Sequence, residues 1–245
     1  MMTAVVLAAG RGSRMGALTD ATPKPLLDVA GRPLIAHVLS GLAAAGVRRA
    51  ILVVGYRGAQ IEAALGDGSG LGLQLEYCRQ ARTDGTARAL LAAAPHLEGG
   101  PFVLSWTDIL VAAPFYREFI EAYAARPCDA QLAVNATDDP WRGGAVYVAA
   151  DGRVTRLVEK PARGTSTTPW NNAGIMGFSP LILDYARDVA PSPRGEYELP
   201  QAVANLVYDG HSAFAVPVRG PWFDVGTPDD LAAASACFAA AGGAQ

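Results

Sequence analysis

The residues of this chain that could do chemistry are charged side chains set in glycine- or proline-marked segments: Arg14, Lys24, Asp108, Asp224 and the neighbours Glu159 and Lys160. Gly10-Arg11-Gly12-Ser13-Arg14 follows the apolar run Thr3 to Ala9. Glycines at 10 and 12 can take φ > 0 and let backbone N–H groups approach an anion, while Arg14 adds a planar, bidentate donor. Lys24, between Pro23 and Pro25, supplies a second cation on a stiffened segment. Together these suit a phosphate. The other reading of Gly-x-Gly is a tight turn that uses glycine for geometry alone. GxxxxGK[ST] does not occur, and GxGxxG is broken because Ser13, Arg14 and Met15 separate Gly12 from Gly16, so neither a P-loop nor a dinucleotide fingerprint fits.

Asp108 follows the apolar run Phe102 to Trp106, and Asp224 follows Trp222-Phe223. Two carboxylates at strand ends suit Mg²⁺, which takes one or two of them and fills its shell with water and phosphate oxygens. Either aspartate alone also reads as a cap or turn residue. Glu159-Lys160 would be, on the plainer view, an exposed charge pair at a strand end.

The elements that must hold these residues alternate. Thr3 to Ala9, Ala50 to Val54, Leu73 to Tyr77 and Phe102 to Trp106 read as buried strands; between them Pro33 to Gly46, Gly58 to Leu65 and Thr86 to Ala94 read as helices. After a helix at Phe115 to Ala125 the strands Ala130 to Ala136, Gly144 to Val148, Val154 to Glu159 and Gly174 to Phe178 read as hairpin-like. Helices Leu181 to Val189 and Leu199 to Tyr208, a strand Ala213 to Val218 and a helix from Pro228 to Ala241 finish the count. The fold class is α/β: a single-domain, Rossmann-like open mixed sheet flanked by helices, with its ligands at the carboxyl ends of the parallel strands. Arg163 to Pro169 reads as a surface loop.

With 245 residues, 51% hydrophobic and 18% charged, the chain can bury one sizeable core, and a formal net charge of -3 argues against a nucleic-acid partner. Cys78, Cys128 and Cys237 have neither disulfide nor zinc spacing. His37, His96 and His211 are isolated and receive no role. No apolar run suits a signal peptide or a membrane span, which predicts a soluble, cytoplasmic protein.

The run LAAGRGSRMGALTDATPKPLL, Leu7 to Leu27, resembles the signature of the sugar-phosphate nucleotidylyltransferases. The resemblance implies that residues 1–238 form one catalytic domain of the nucleotide-diphospho-sugar transferase type, with 239–245 a flexible tail. It implies that Ala9, Gly10, Gly12 and Ser13 bind a nucleoside triphosphate, that Arg14 and Lys24 act in catalysis, and that Gln80, Gly85 and Thr86 surround the base. Asp108 and Asp224 become Mg²⁺ ligands, the latter within Trp222-Phe223-Asp224-Val225-Gly226-Thr227; Thr107 stands where the family has glycine, and Ala17 where many members have proline. Gly144, Glu159, Lys160, Asn172 and Glu196 become the pocket for a sugar 1-phosphate. The implied reaction makes a nucleotide sugar and pyrophosphate. Oligomers of the chain are implied as well, without a readable interface. The readings kept open beside it are cytidylyl transfer to a non-sugar phosphate such as phosphocholine and a catalytically silent nucleotide-sugar-binding module. A nicotinamide oxidoreductase is disfavoured because Ile51 to Gly55 ends without an acidic residue. Neither the sugar nor the base is fixed by these motifs.

Overall fold

The computed structural model describes residues 2–242. Its first half contains β1 (Thr3–Ala8), α1 (Leu18–Ala21), the two-residue strands β2 (Asp28–Val29) and β3 (Arg32–Pro33), α2 (Leu34–Ala44), β4 (Arg49–Val54), α3 (Gly58–Leu65), β5 (Gln74–Arg79), α4 (Thr86–Ala93), β6 (Phe102–Trp106), β7 (Ile109–Val111) and α5 (Ala113–Ala125). The second half contains β8 (Ala130–Ala136), β9 (Gly144–Val148), β10 (Val154–Glu159), β11 (Trp170–Phe178), α6 (Ile182–Asp188), α7 (Leu199–Tyr208), β12 (Ala213–Pro217), β13 (Trp222–Asp224) and α8 (Pro228–Gly242).

A nine-stranded mixed sheet organises the molecule, with β6-β1-β4-β5 parallel. β11 joins β6 antiparallel and also pairs with β8 and, at Asn171, with β9. β12 lies parallel to β8 at the far edge. Alternation within strands explains why both faces are dry. Val6, Leu52 and Val54 share one core with Leu39 of α2 and Phe119 of α5, while Val5, Ile51 and Val53 point the other way into a core with Leu90 of α4 and Leu206 of α7. Ile51 is 0% exposed, so its truncation to alanine would cost about 2–5 kcal/mol in lost burial and a new cavity.

β11 starts at Trp170, four residues before the predicted Gly174, because Trp170, Asn171 and Asn172 pair with β8 despite their polarity. The buried amides there are only partly paired: Asn171 Nδ2 donates to Asn135 Oδ1 at 2.9 Å and to Asn172 O at 3.0 Å, while Asn171 Oδ1 has no partner. α8 continues through residues 239–242, which the sequence reading assigned to a flexible tail; residues 243–245 lie outside the described part. Arg163 to Pro169 is a loop, as predicted. Cys78 and Cys128 are buried free thiols, each pushed up to about 11 chiefly by burial. Among the described residues no helix is long and apolar enough to cross a membrane.

Candidate functional site

Two short strands bring the distant aspartates together. β13 pairs antiparallel with β7, placing Asp224 opposite Ile109, and Val225 N donates to Asp108 O at 2.9 Å. The start of α8 fixes the other end: Asp230 Oδ2 accepts from Thr227 N (2.8 Å), Thr227 Oγ1 (2.7 Å) and Gly226 N (3.1 Å), while Pro228 has no N–H that would need an acceptor in the first turn. Lys24 Nζ reaches Asp108 Oδ2 at 2.6 Å from a side chain only 9% exposed. Asp224 is open to solvent, yet it sits in dense surroundings, and its carboxyl is raised above the ordinary range by burial and then by the Asp108 charge. Lys24 and Arg14 pull it back down; Asp230 adds to the rise.

The glycine loop leaves β1 beside this pair. Gly12 takes φ +69 at the head of a 3-10 turn, Ser13–Met15, and a Cβ on it would lie 3.0 Å from the Lys24 stem. Gly10, by contrast, is outside the left-handed region and has open space around it, so the positive φ allowed for it by the sequence reading is used only at Gly12. Lys24 opens its own 3-10 turn, Lys24–Leu26, after the extended Pro23. Arg14 lies against Gly226, where a Cβ would come within 3.1 Å of Nη1. Ala9 O accepts from Tyr56 N at 3.1 Å, Tyr56 Oη donates to Thr19 O at 3.2 Å, and the Arg57 guanidinium donates to Asp20 O, so the end of β4 braces the loop from the side. Thr107 is buried, and its hydroxyl donates to Leu7 O at 3.0 Å.

Gln80 follows β5; its Nε2 donates to Gly85 O at 3.0 Å. Gly85 takes φ +120 before α4, a conformation that L side chains rarely adopt. Thr86 Oγ1 accepts from Leu199 N at 2.9 Å.

Among the residues expected to form the sugar-phosphate pocket, Gly144 packs so that a Cβ would be 3.2 Å from Glu159 Oε2 and 3.4 Å from Asn172 Cβ. Asn172 Oδ1 accepts from Gly174 N at 3.1 Å, and its Nδ2 is buried without a partner. Glu159 has a side chain 15% exposed, and burial raises its carboxyl; Lys160, with Nζ 4.0 Å away, lowers it, Glu198 raises it, Arg194 lowers it and Glu196 raises it. Lys160 is held at φ +44, its N–H donating to Gly143 O at 2.7 Å.

The predicted residues thus fall into three linked groups. Gly12, Lys24 and Asp108 meet directly, Arg14 lies against Gly226, and the charges of Arg14, Lys24 and Asp108 all act on Asp224, with Ala9, Gly10 and Ser13 on the same loop as Gly12. Gly144, Glu159, Lys160 and Asn172 form a second group, joined to the first by Trp222 Nε1, which donates to Ala173 O at 3.0 Å. Gln80, Gly85 and Thr86 form a third, joined to the second through Tyr197, next to Glu196. Arg194 and Glu198, in the turn before α7, pair with each other beside Glu159. Neither is among the residues expected at the site, and their opposite charges flanking Glu196 are the signal available for them.

Residues 3–240 match the family model described as nucleotidyl transferase. The chain is 33% identical over 233 residues to a glucose-1-phosphate thymidylyltransferase of Streptomyces antibioticus, covering 94% of this chain and 64% of that protein. It is 31% identical over 231 residues to the UTP–glucose-1-phosphate uridylyltransferase AglF of Haloferax volcanii, covering 94% and 93%. The solved UDP-glucose pyrophosphorylase complexed with UDP-glucose shares the fold at TM-score 0.85 and 19% identity, over 97% of this chain and 98% of that one. The chain therefore spans 64% of the length of some curated relatives and nearly all of another.

Proposed function

The chain belongs to the nucleotidyl transferase family, and on that premise we propose that it joins a sugar 1-phosphate to an NTP, releasing pyrophosphate and a nucleotide sugar. The observation that carries the reading is the meeting of Lys24, Asp108 and Asp224 beside the Gly12 loop. A phosphate-monoester oxygen attacks the α-phosphorus, the bond to the bridging oxygen of the β-phosphate breaks, and its electrons leave on pyrophosphate. The acceptor phosphate has a second pKa of about 6, so it arrives largely dianionic and needs no strong base. The lack of histidine in this cluster agrees with that chemistry.

The donor set fits Mg²⁺. Asp224, raised by burial and then by the neighbouring Asp108 charge, forms with Asp108 a like-charge pair that a divalent cation would relieve, and both ligands are hard oxygens. Bound there, the ion would neutralise charge on the nucleotide oxygens. Arg14 and Lys24 hold the triphosphate and stabilise charge as it shifts to pyrophosphate. The Gly12 backbone fits close to the anion, and Gln80 with the Gly85 segment orients the base. Glu159 accepts sugar hydroxyls, Asn172 Nδ2 offers the donor it has not used, and Lys160 pairs with the acceptor phosphate. Glu196 and Gly144 complete the pocket wall.

This reading also places the protein in the cytoplasm, where NTPs are, with small-molecule partners, self-assembly and no nucleic acid or membrane. Purified protein with four NTPs and a panel of sugar 1-phosphates should release pyrophosphate for a preferred pair, and Asp108→Asn should lose that activity while keeping its melting transition. Near-normal release by folded Asp108→Asn would remove the metal assignment; no release by wild type with any pair would remove the function.

A further inference from the structure

Residues 84–87 and 197–199 are stitched together along their backbones. Tyr197 N donates to Asp84 O at 2.7 Å, and Ala87 N donates to Tyr197 O at 2.9 Å. A Cβ on Gly85 would lie 2.3 Å from Tyr197 O, so no side chain separates the two segments. The Arg88 guanidinium stacks 4.2 Å over the Tyr197 ring.

Within this seam Thr86 does something its place in the base segment does not require. The first N–H groups of a helix lack intrahelical acceptors. Leu199 N is the first of α7, and Glu198, at the cap position, makes no side-chain cap bond; its carboxylate pairs with Arg194. Thr86 Oγ1 supplies the missing acceptor at 2.9 Å from a different part of the chain. α7 packs on β10, the strand that ends at Glu159, and the turn before α7 carries Arg194, Glu196 and Glu198, whose charges all act on Glu159.

We propose that Thr86 is a positioning residue for the acceptor: its hydroxyl caps α7 from outside and fixes the 194–198 turn over Glu159. Ordering of the base segment by a nucleotide is thereby transmitted to the sugar-phosphate pocket. The inference rests on the nucleotidyl-transfer reading above for its kinetic consequence, though not for its structural one.

Thr86→Val removes the acceptor at nearly constant volume, and Thr86→Ser keeps it. With glucose 1-phosphate and whichever of dTTP, UTP or GTP the wild type turns over, Thr86→Val should raise KM for the sugar phosphate about five- to ten-fold and KM for the NTP less than about two-fold, with Thr86→Ser restoring both. A rise confined to the NTP, or equal in both, overturns the proposal. Amide hydrogen exchange gives a readout independent of turnover: the ligand-free valine variant should exchange faster at 196–199, and the serine variant at the wild-type rate. Unchanged exchange there overturns the capping role even if no substrate pair is found. Should the valine variant not fold, wild type alone decides, since magnesium with dTTP or UTP should slow exchange at 194–199 as well as at 80–87. Protection limited to 80–87 would overturn the coupling.

Discussion

Lys24 and Asp108 lie 84 positions apart in sequence and meet at 2.6 Å, so the cation that should hold phosphate also balances a carboxylate assigned to metal. Lys24→Met leaves Asp108 and Asp224 facing each other with Arg14 as the remaining nearby cation. Turnover should fall by about 10²-fold or more. The melting temperature should fall too, by an amount reflecting about 1 kcal/mol once the partial exposure of Asp108 is allowed for. Pyrophosphate release within tenfold of wild type, from a folded variant, would contradict the role.

In its proposed role on the acceptor, Glu159 sets stability against binding. Its folded pKa is raised, first by burial, so its ionised form costs folding free energy at pH values above that pKa. Glu159→Gln should therefore melt higher than wild type at pH 7, each 1 kcal/mol appearing as roughly 2–4 °C in a chain of this size. The gain should shrink as pH falls through the raised pKa, because wild type then takes up its proton. KM for the acceptor should rise at the same time. Calorimetry between pH 4 and 8, set beside acceptor kinetics, checks both halves; a variant that melts lower at pH 7 would refute the first.

How much of this was legible in advance depended on range. The apolar run Phe102 to Trp106 has the ends of β6, the hairpin-like strand patterns after residue 130 have those of β8, β9 and β10, and the helical patterns at 58–65 and 199–208 have those of α3 and α7. β7 and β13 are three residues each, too short for periodicity, and only their mutual pairing makes them strands. That pairing is what sets Asp108 beside Asp224, so the residues were readable and their meeting was not. The Thr86 contact to Leu199 is equally silent, since a threonine before an alanine-rich helix reads as a local start signal.

Thr107 offers a cleaner test of local stability, because it stands where relatives are expected to carry glycine. Its buried hydroxyl and N–H both donate to Leu7 O, tying β6 to the end of β1. Thr107→Gly should cost about 1–2 kcal/mol through the lost hydrogen bond and added backbone freedom. Turnover should stay within a few-fold. Denaturant unfolding measures the first, and a variant as stable as wild type would show that the hydroxyl is replaceable by water.

β11 exchanges partners along its length, meeting β9 at Asn171 and β6 from Ile175 onward, with its register against β8 broken between Asn172 and Met176. The sheet is therefore forked at the residues that floor the proposed acceptor pocket. On the proposed function, the branch carrying β9 and β10 holds the acceptor and the β1, β4 and β6 ends hold the triphosphate, so a change on one branch could alter the acceptor without moving the nucleotide, within one continuous slab.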